Sequence, residues 1–369
     1  GLTTHVAAAE LMEAYVWMAL VDIFGDVPGV EALQGSAAKF NPVADGGAAV
    51  YQHALDLIND ARTNLALTGT AVGGALTRDV YYGGSRANWT AFANTLELKM
   101  QMNLAQIPAQ AATANARIAV LLNGTTNIID TEAENFTYKY GTATVPDSRH
   151  PLYNAYYTPT KGAAGGYLAN YYMYNAFGIW DPANKFDPAF TTQDPRWRYY
   201  FYRQVGSLGQ IALVDPKAIG CTPSAPPPHY QAKNEVFCVF EPGFYGRDHG
   251  DASGTPPSGP VVTCYGIYPA GGKIDNTSLS KTDFVGSTVR GDGANGAGIN
   301  PIWMSWYTDF MRAEYLARTG NNAGAQTAMQ AGISNSITQI KNFATAKGGT
   351  LSAANTPSTT AYKTAVDGL

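Results

Sequence analysis

Residues 245–257, YGRDHGDASGTPP, hold Arg247, Asp248, His249 and Asp251 between glycines and prolines. Arg247, Asp248 and His249 are consecutive, so their side chains diverge in any extended backbone. An acid–base pair needs groups that converge, usually from distant segments, and no GxSxG or HExxH motif occurs elsewhere. We interpret this stretch as a structured, non-catalytic loop in which Asp248 or Asp251 accepts hydrogen bonds from local backbone amides.

Two other chemistries stay open for the acidic residues. Asp248 and Asp251 are candidate calcium ligands, although their spacing does not match an EF-hand loop. A glycosidase needs two carboxylates across a cleft, for which Glu235, Glu241, Asp248 and Asp251 are candidates, but no pattern pairs them. We therefore expect a protein that is not an enzyme and that needs no cofactor, with structural calcium as the alternative.

Aromatic residues on loops favour a third chemistry, the binding of sugars. Residues 151–202 hold 16 aromatic side chains in 52 residues, whereas aromatics make up 12% of the whole chain. A flat ring covers the apolar face of a sugar, and burial at about 25 cal/mol per Å² makes each stacked ring worth a few kcal/mol at most. The alternative is that many of these rings fill a local core. We expect ligand contacts from Tyr156, Tyr157, Trp180 and Tyr245, with Asn154, Arg247 and Asp248 as polar partners.

Composition excludes some classes of protein and leaves the cysteines undecided. Only 14% of residues are charged and the net charge is −4, which gives no basic surface for nucleic acid. The sequence contains no run of 18 apolar residues, so it predicts no membrane span. The low charge and the many Tyr and Gly residues are typical of an extracytoplasmic surface. Cys221, Cys238 and Cys264 allow one disulfide in three pairings, or buried thiols.

Apolar residues at spacings of three and four predict helices at both ends of the chain. The first helix covers 6–24 and ends at Gly25 and Pro28; others cover about 48–67, from 88 onward, and 108–122. The predicted buried residues are Leu11, Ala14, Met18, Val21 and Phe24; Tyr51, Ala54, Ile58, Ala61 and Leu65; and Trp89, Phe92, Leu96 and Met100.

Another helix pair closes the chain after a long region without helical periodicity. Pro301 is predicted to lie in a first helical turn, followed by a buried stripe of Trp306, Phe310, Ala313 and Ala317. Gly320-Asn321 breaks the helix, and Met329, Ile333, Ile337 and Ile340 mark the next one. Helix, break and helix predict a mostly α protein with TPR-like pairs. The loop-rich insertion between them indicates a functional segment.

Several stretches together resemble the SusD/RagB family of Bacteroidota surface lipoproteins. They keep the order of the family and cover about residues 10 to 345. Gly84 stands where the family often has Asp, and Met100 where Arg is common. The stretches are DIFGDVPGVEAL (22–33), VYQHALDLINDARTNL (50–65), DVYYGGSRANWTAFANTLELKMQMNLA (79–105), DPRWRYYF (194–201), YGRDHGDASGTPP (245–257), WMSWYTDFMRAEYLARTG (303–320) and AGISNSI (331–337).

This resemblance implies a single SusD-like domain over 1–369. Residues 1–125 and 300–345 would form the helical scaffold, and 126–299 the insertion on the ligand side. We also expect that the N-terminal and C-terminal ends of a longer precursor, including the lipid-bearing cysteine, are missing. Membrane attachment would then come only through a lipid anchor that this chain does not contain.

The function that the resemblance implies is the capture of nutrients at the outer membrane. Such a protein binds oligosaccharides on the extracellular face and delivers them to a SusC-like TonB-dependent transporter. The alternatives are a peptide-binding subunit of the same family and a secreted glycosidase.

Overall fold

The computed structural model describes residues 2–29, 31–32, 34–157, 168–169, 172–173, 193–202, 239–240, 244–247, 263–275, 293–351 and 358–368. Over these ranges the protein is mostly helical, as the sequence predicts. The helices are α1 Thr3–Phe24, α2 Gly47–Ala66, α3 Arg86–Leu104, α4 Ala111–Leu121, α5 Pro151–Tyr157, α6 Trp197–Tyr200, α7 Ser305–Arg318, α8 Asn322–Ala346 and α9 Thr359–Asp367.

The strands are short and pair two by two. They are β1 Phe136–Lys139, β2 Phe201–Tyr202, β3 Val239–Phe240, β4 Phe244–Tyr245, β5 Cys264–Tyr265 and β6 Ile299–Trp303. β1 pairs with β6, β2 with β5 and β3 with β4. The β2–β5 pair is antiparallel, with Phe201 opposite Tyr265.

The chain divides into two compact units. Unit 1 comprises Gly1–Phe136 and Ile302–Gly332, and unit 2 comprises Thr137–Pro301 and Ile333–Leu369. The single domain and the TPR-like geometry of the helix pairs stay predictions.

Helices α1 and α2 follow from the apolar spacing in the sequence. Leu11, Ala14 and Met18 are buried on α1 as predicted, whereas Phe24 is 67% exposed at its last turn, so this part of the prediction is wrong. Gly25, with φ of +76°, ends α1 in a conformation that favours glycine. Asp26 then accepts a hydrogen bond from the backbone N–H of Gly47 at 2.8 Å, which satisfies a free donor at the start of α2.

Helix α3 lies in the core of unit 1. The predicted residues Trp89, Phe92, Leu96 and Met100 are all buried, and so is Leu98 on another side of the helix. Phe92 stacks on Phe136 with ring centroids 4.1 Å apart. Since α3 is covered on several sides, it organises the packing of the unit.

The carboxylate of Asp79 organises the turn that leads into α3. One oxygen accepts the backbone N–H groups of Tyr81 and Tyr82 at 2.9 and 3.1 Å. The other accepts the N–H of Gly84 at 3.0 Å and the indole N–H of Trp89 at 2.8 Å. Gly84 has φ of +87°, a conformation that side chains rarely adopt, which explains a glycine here.

The approach to α7 differs from the prediction. Pro301 lies in strand β6, not in a helix, and α7 begins at Ser305. A two-stranded sheet tolerates proline because each strand has an unpaired edge. On α7 Trp306 is buried at 4%, but Phe310 is 37% exposed. The ring of Phe310 lies against Gly332 of α8 instead, at 3.0 Å from where a Cβ would stand.

One apolar cluster of unit 2 lies beside a buried ion pair. Leu168, Met173, Trp197 and Phe201 form this core. Asp194, which is fully buried, accepts a hydrogen bond from Arg196 Nε at 2.8 Å. The same guanidinium donates to Ser336 Oγ of α8 at 2.9 Å, so α6 is fixed to α8.

A histidine caps the start of helix α5. The Nδ1 atom of buried His150 accepts a hydrogen bond from the N–H of Leu152 at 3.0 Å, so the ring acts as an N-cap. Its other edge packs against Tyr140, with centroids 4.6 Å apart. Burial lowers the pKa of His150, although a hydrogen bond with the backbone of Ile299 opposes this effect. The neutral imidazole is therefore the form that fits the fold.

We predict that Asp79→Ala lowers the free energy of unfolding by about 2 kcal/mol, because several donors lose a charged acceptor at once. Urea unfolding of the full chain measures this change. The matched control is Asp60→Ala on the exposed side of α2, for which we expect less than about 0.5 kcal/mol. Equal effects of the two substitutions would contradict the role of Asp79.

We also predict a pH dependence that His150→Asn removes. Because the folded pKa of His150 is depressed, its contribution to stability is complete above the usual pKa of about 6.5 and is lost as pH falls below that value. Asn keeps an N-cap acceptor but cannot take up a proton. The stability difference between wild type and variant should therefore shrink between pH 7 and about pH 5. A difference that is constant with pH would contradict this assignment.

Candidate functional site

Two of the predicted ligand-binding rings lie in the core of unit 2. Tyr156 and Tyr157 on α5 are only 3% and 7% exposed. The Tyr157 hydroxyl donates to the backbone oxygen of Tyr265 at 2.7 Å and accepts from the N–H of Lys273 at 3.2 Å. Its ring stacks on Tyr153, with centroids 4.9 Å apart. These contacts are structural, so the predicted ligand contact of the two rings gains no support from their positions.

The remaining predicted residues all fall in the residue range of unit 2. Trp180 and Asp248 lie outside the described residues, and Tyr245 is described only as part of strand β4. Arg247 is half-buried, and its backbone N–H donates to the oxygen of Leu168 at 3.0 Å. Asn154, on α5, donates a hydrogen bond to Asp147 in the loop that follows strand β1.

We use the name Tyr138 surface for a group of side chains between strand β1 and helix α5. Its members come from β1, the following loop and the first turn of α5: Tyr138, Tyr140, Asp147, Arg149 and Asn154. The ring of Tyr138 is 37% exposed. It meets Tyr140 edge to face, with centroids 4.9 Å apart and an interplanar angle of 79°. Tyr140 in turn packs on the buried ring of His150. The exposed ring of Tyr138 is therefore supported, through Tyr140, by a buried side chain.

Backbone hydrogen bonds hold the loop between β1 and α5. The N–H of Tyr140 donates to Gly298 at 2.9 Å, which continues the pairing of β1 with β6. Beyond it, the N–H of Gly141 donates to Ser148 at 2.8 Å, and the N–H of Ser148 donates to Ala143 at 3.0 Å. The loop is therefore a short hairpin that returns the chain to the start of α5.

The polar members of the surface are already paired with one another. Arg149 donates to both oxygens of Asp147, from Nε at 3.0 Å and from Nη2 at 2.9 Å. Asn154 Nδ2 donates to the same carboxylate at 2.9 Å. The hydrogen bonds from Arg149 lower the pKa of Asp147 to about 2, so the carboxylate is ionised at neutral pH. The result is a preformed set of donors and acceptors with no net charge.

The backbone of Gly296 passes close to the side chain of Arg149, which is possible because glycine has no Cβ. Gly296 has φ of +85°, and a Cβ there would lie 2.7 Å from Arg149 Cβ and 2.9 Å from Tyr153 Cδ1. The missing side chain leaves room for the Arg149 guanidinium, 5.9 Å from the centre of the Tyr153 ring. Any larger residue at 296 would displace both side chains.

The side chains of this surface are of types that hold a ligand through non-covalent contacts. An exposed ring offers a flat apolar face, and Asp147, Arg149 and Asn154 offer hydrogen-bonding groups. The set contains one carboxylate, which is ionised and paired, whereas glycoside hydrolysis requires two carboxyl groups with different roles.

Tyr138 and Tyr140 were missed by sequence reasoning. Both lie before the aromatic-rich segment 151–202, and they are too few to raise the local composition. The available signal was the run Phe136-Thr-Tyr-Lys-Tyr, which is typical of a strand and is followed by a polar loop.

Metal binding and membrane crossing find no support in the described ranges. Within them, no group of three or more His, Cys, Asp or Glu side chains gathers to hold a metal ion. Asp251, like Asp248, lies outside these ranges, so the calcium hypothesis is not tested. Across the same part of the chain, every helix is too short or too polar to span a bilayer.

Solved structures with the same fold come from Bacteroidota. Two SusD homologues from Bacteroides fragilis NCTC 9343 match 98% of this chain with TM-scores of 0.59 and 0.58, at 14% and 16% identity. This chain spans 63% and 62% of their lengths, which is less than two thirds. A chitin-binding SusD homologue from Flavobacterium johnsoniae matches 95% of this chain, and the match covers 54% of the homologue, with a TM-score of 0.52 at 16% identity.

A family comparison agrees with this fold. No curated protein matches the sequence. The model of the SusD-like_2 family, described as "Starch-binding associating with outer membrane", matches residues 3–209, more than half of the chain. The chain therefore belongs to the SusD-like family.

Proposed function

We propose that this protein binds oligosaccharides without cleaving them, and that the Tyr138 surface contributes to the binding. The observation that carries the proposal is the exposed Tyr138 ring on strand β1, which leads into the hairpin that carries the paired and jointly uncharged Asp147 and Arg149. A sugar presents an apolar face and a rim of hydroxyls, which match these two parts. The description of the family as starch-binding supports the same class of ligand.

The paired state of Asp147 favours neutral sugars over charged ligands. Its charge is balanced by Arg149, and both groups keep hydrogen-bonding capacity towards hydroxyls. A charged ligand would have to disrupt this pair, whereas a hydroxyl can share its atoms. One ring contributes a few kcal/mol at most, so affinity would come from several sugar units.

Delivery to a transporter completes the proposed function. The family is described as associating with the outer membrane. A binding protein on the extracellular face that passes sugars to a SusC-like TonB-dependent transporter fits that description. Co-purification of the protein with such a transporter, under conditions that preserve membrane complexes, tests this part separately.

We predict that Tyr138→Ala weakens the binding of an oligosaccharide about ten-fold, because the flat apolar face is lost. Isothermal titration with maltoheptaose and with chitohexaose measures the effect. Tyr138→Phe keeps the ring and should retain most of the affinity. Phe40→Ala is the control for an exposed ring in unit 1, where Phe40 is 77% exposed, and should have no effect.

The same titrations separate the alternatives. Binding of peptides from digested casein, with no binding of either sugar, would show a peptide-binding member of the family. Release of reducing ends from either sugar would show a glycosidase. Unchanged sugar affinity in Tyr138→Ala would remove the Tyr138 surface from the site.

We further predict that Asp147→Ala weakens sugar binding about ten-fold, because Arg149 and Asn154 lose the acceptor that orients them. The hairpin lies on the surface, so thermal unfolding should change little. Gly296→Ala should reduce affinity as well, since it displaces Arg149 from the other side. If both variants bind as wild type does, the polar set has no part in recognition.

A further inference from the structure

The sequence contains two Asn-Gly dipeptides, Asn123-Gly124 and Asn295-Gly296. In such a pair the backbone nitrogen of glycine can attack the side-chain carboxamide of asparagine, because glycine has no Cβ to obstruct the approach. Three local conditions decide whether this happens in a folded protein. The nitrogen must be free, the carboxamide must be turned toward it, and the charge that develops on the carboxamide oxygen must be stabilised.

The nitrogen of Gly124 is free. Asn123 and Gly124 lie in an exposed turn directly after helix α4. Within the described part of the chain, nothing accepts a hydrogen bond from the Gly124 N–H. Gly124 has φ of +82°, and apart from its chain neighbours no heavy atom lies within 4 Å of the position that a Cβ would take. The first condition is therefore met.

The carboxamide of Asn123 is folded back over the following peptide. Its Oδ1 accepts hydrogen bonds from the backbone N–H groups of Thr125 at 2.8 Å and Thr126 at 3.1 Å. Both donors lie beyond Gly124, so the side chain turns toward the chain that follows it, as in an Asx-turn. This arrangement brings the carboxamide carbon toward the Gly124 nitrogen.

The same hydrogen bonds stabilise the charge that the attack creates. Attack on Cγ of Asn123 places negative charge on Oδ1, which already accepts from two backbone N–H groups and from the Thr125 hydroxyl at 2.9 Å. Preformed donors at the atom where charge develops lower the barrier, as in an oxyanion hole. Across the described residues, the leaving nitrogen Nδ2 has no hydrogen-bond partner. The oxygen is held and the leaving group is not.

The second pair has the same sequence but a nitrogen that is occupied. The N–H of Gly296 donates to the oxygen of Gly271 at 2.9 Å, and Gly296 is buried. Attack on the Asn295 carboxamide would first have to break this hydrogen bond and move a packed segment of backbone. Asn295-Gly296 is therefore an internal comparison for Asn123-Gly124.

We propose that Asn123 is a site of spontaneous modification to aspartate and isoaspartate, and that the fold protects Asn295. The Gly124 nitrogen loses its proton to water or hydroxide and bonds to Asn123 Cγ. The Cγ–Nδ2 bond then breaks, and Nδ2 leaves as ammonia with a proton from solvent. Water adds to one of the two carbonyl groups of the resulting succinimide ring and opens it. One water is consumed and one ammonia is released, so no other reactant is required.

The two products differ in their effect on the turn. Aspartate keeps an oxygen for the donors of Oδ1, and hydrogen bonds to a carboxylate are stronger than those to an amide. Isoaspartate carries the chain through its former side chain, which adds a carbon to the backbone and moves the carboxylate away from the donors. The next residues cannot adjust freely, because Asn127 Nδ2 donates to the oxygen of Ala87 on α3 at 2.8 Å. Isoaspartate should therefore open the turn.

Only residues 123–126 and water take part in the reaction. The site lies in unit 1 and requires no partner, so the proposal does not depend on the sugar binding proposed above.

Incubation of the full chain at about pH 8 tests the proposal, because the amide proton is removed more readily as pH rises. Tryptic peptides 118–139 and 291–312 carry the two sites, and mass spectrometry measures the fraction of each asparagine that is converted. In the folded protein we expect Asn123 to convert at least about ten-fold faster than Asn295. In urea the two rates should agree within a factor of about three, because both nitrogens are then free.

Thr125→Val tests the part played by the hydroxyl donor, and Thr113→Val is its matched control. Thr125→Val keeps the backbone N–H but should slow the conversion of Asn123 by a factor of about three to ten. Thr113 lies on the exposed side of α4, so its substitution should leave the rate unchanged. Circular dichroism checks that both variants are folded.

Two results would overturn the proposal. The first is an equal rate of conversion at Asn123 and Asn295 in the folded protein, which includes the absence of conversion at both. The second is an unchanged rate in Thr125→Val, since the donors around Oδ1 would then not assist the attack. Loss of sugar binding in any experiment leaves both readings unaffected.

Discussion

The burial of α3 on several sides is the constraint on which unit 1 depends. Trp89, Phe92 and Leu96 are buried on one side of α3 and Leu98 on another, so more than one surrounding element must present a complementary apolar face. A helix in this position also buries its polar residues. Glu97 is 7% exposed and pairs with Arg62 and Arg117, the latter at 2.7 Å. Burial opposes its ionisation, but the two arginines lower its pKa, so the charge is kept inside.

Buried charges in the described part of unit 2 follow the same rule. Asp275 is fully buried and is held by Arg198 at 3.0 Å, whose guanidinium lies 4.2 Å from the centre of the Trp197 ring. Removing one member of such a pair leaves an uncompensated charge, which costs more than the pair contributes. Arg196 and Arg198 thereby tie α6 and the residue before it to two buried carboxylates, Asp194 and Asp275.

The sequence predicted the elements better than the surfaces. Helices α1 to α4 followed from apolar spacing, because that spacing records the burial of one face. Exposure depends on what covers the other faces, which a single stretch of sequence does not record. Alternation places Phe136 and Tyr138 on one side of a strand, yet the first is in a core and the second is exposed. The high number of aromatic residues in 151–202 led to the prediction that Tyr156 and Tyr157 contact a ligand, yet both are buried. Composition does not distinguish rings that pack in a core from rings that are exposed at the surface.

The chemistry of the exposed Tyr138 ring limits what it could recognise. The ring offers a flat face and a hydroxyl, and the charged groups of the hairpin that follows it are already paired, so a ligand with alternating apolar and hydroxyl parts would gain from both. A purely aliphatic surface would serve such a ligand less well, since the ligand's hydroxyls would lose water without finding partners.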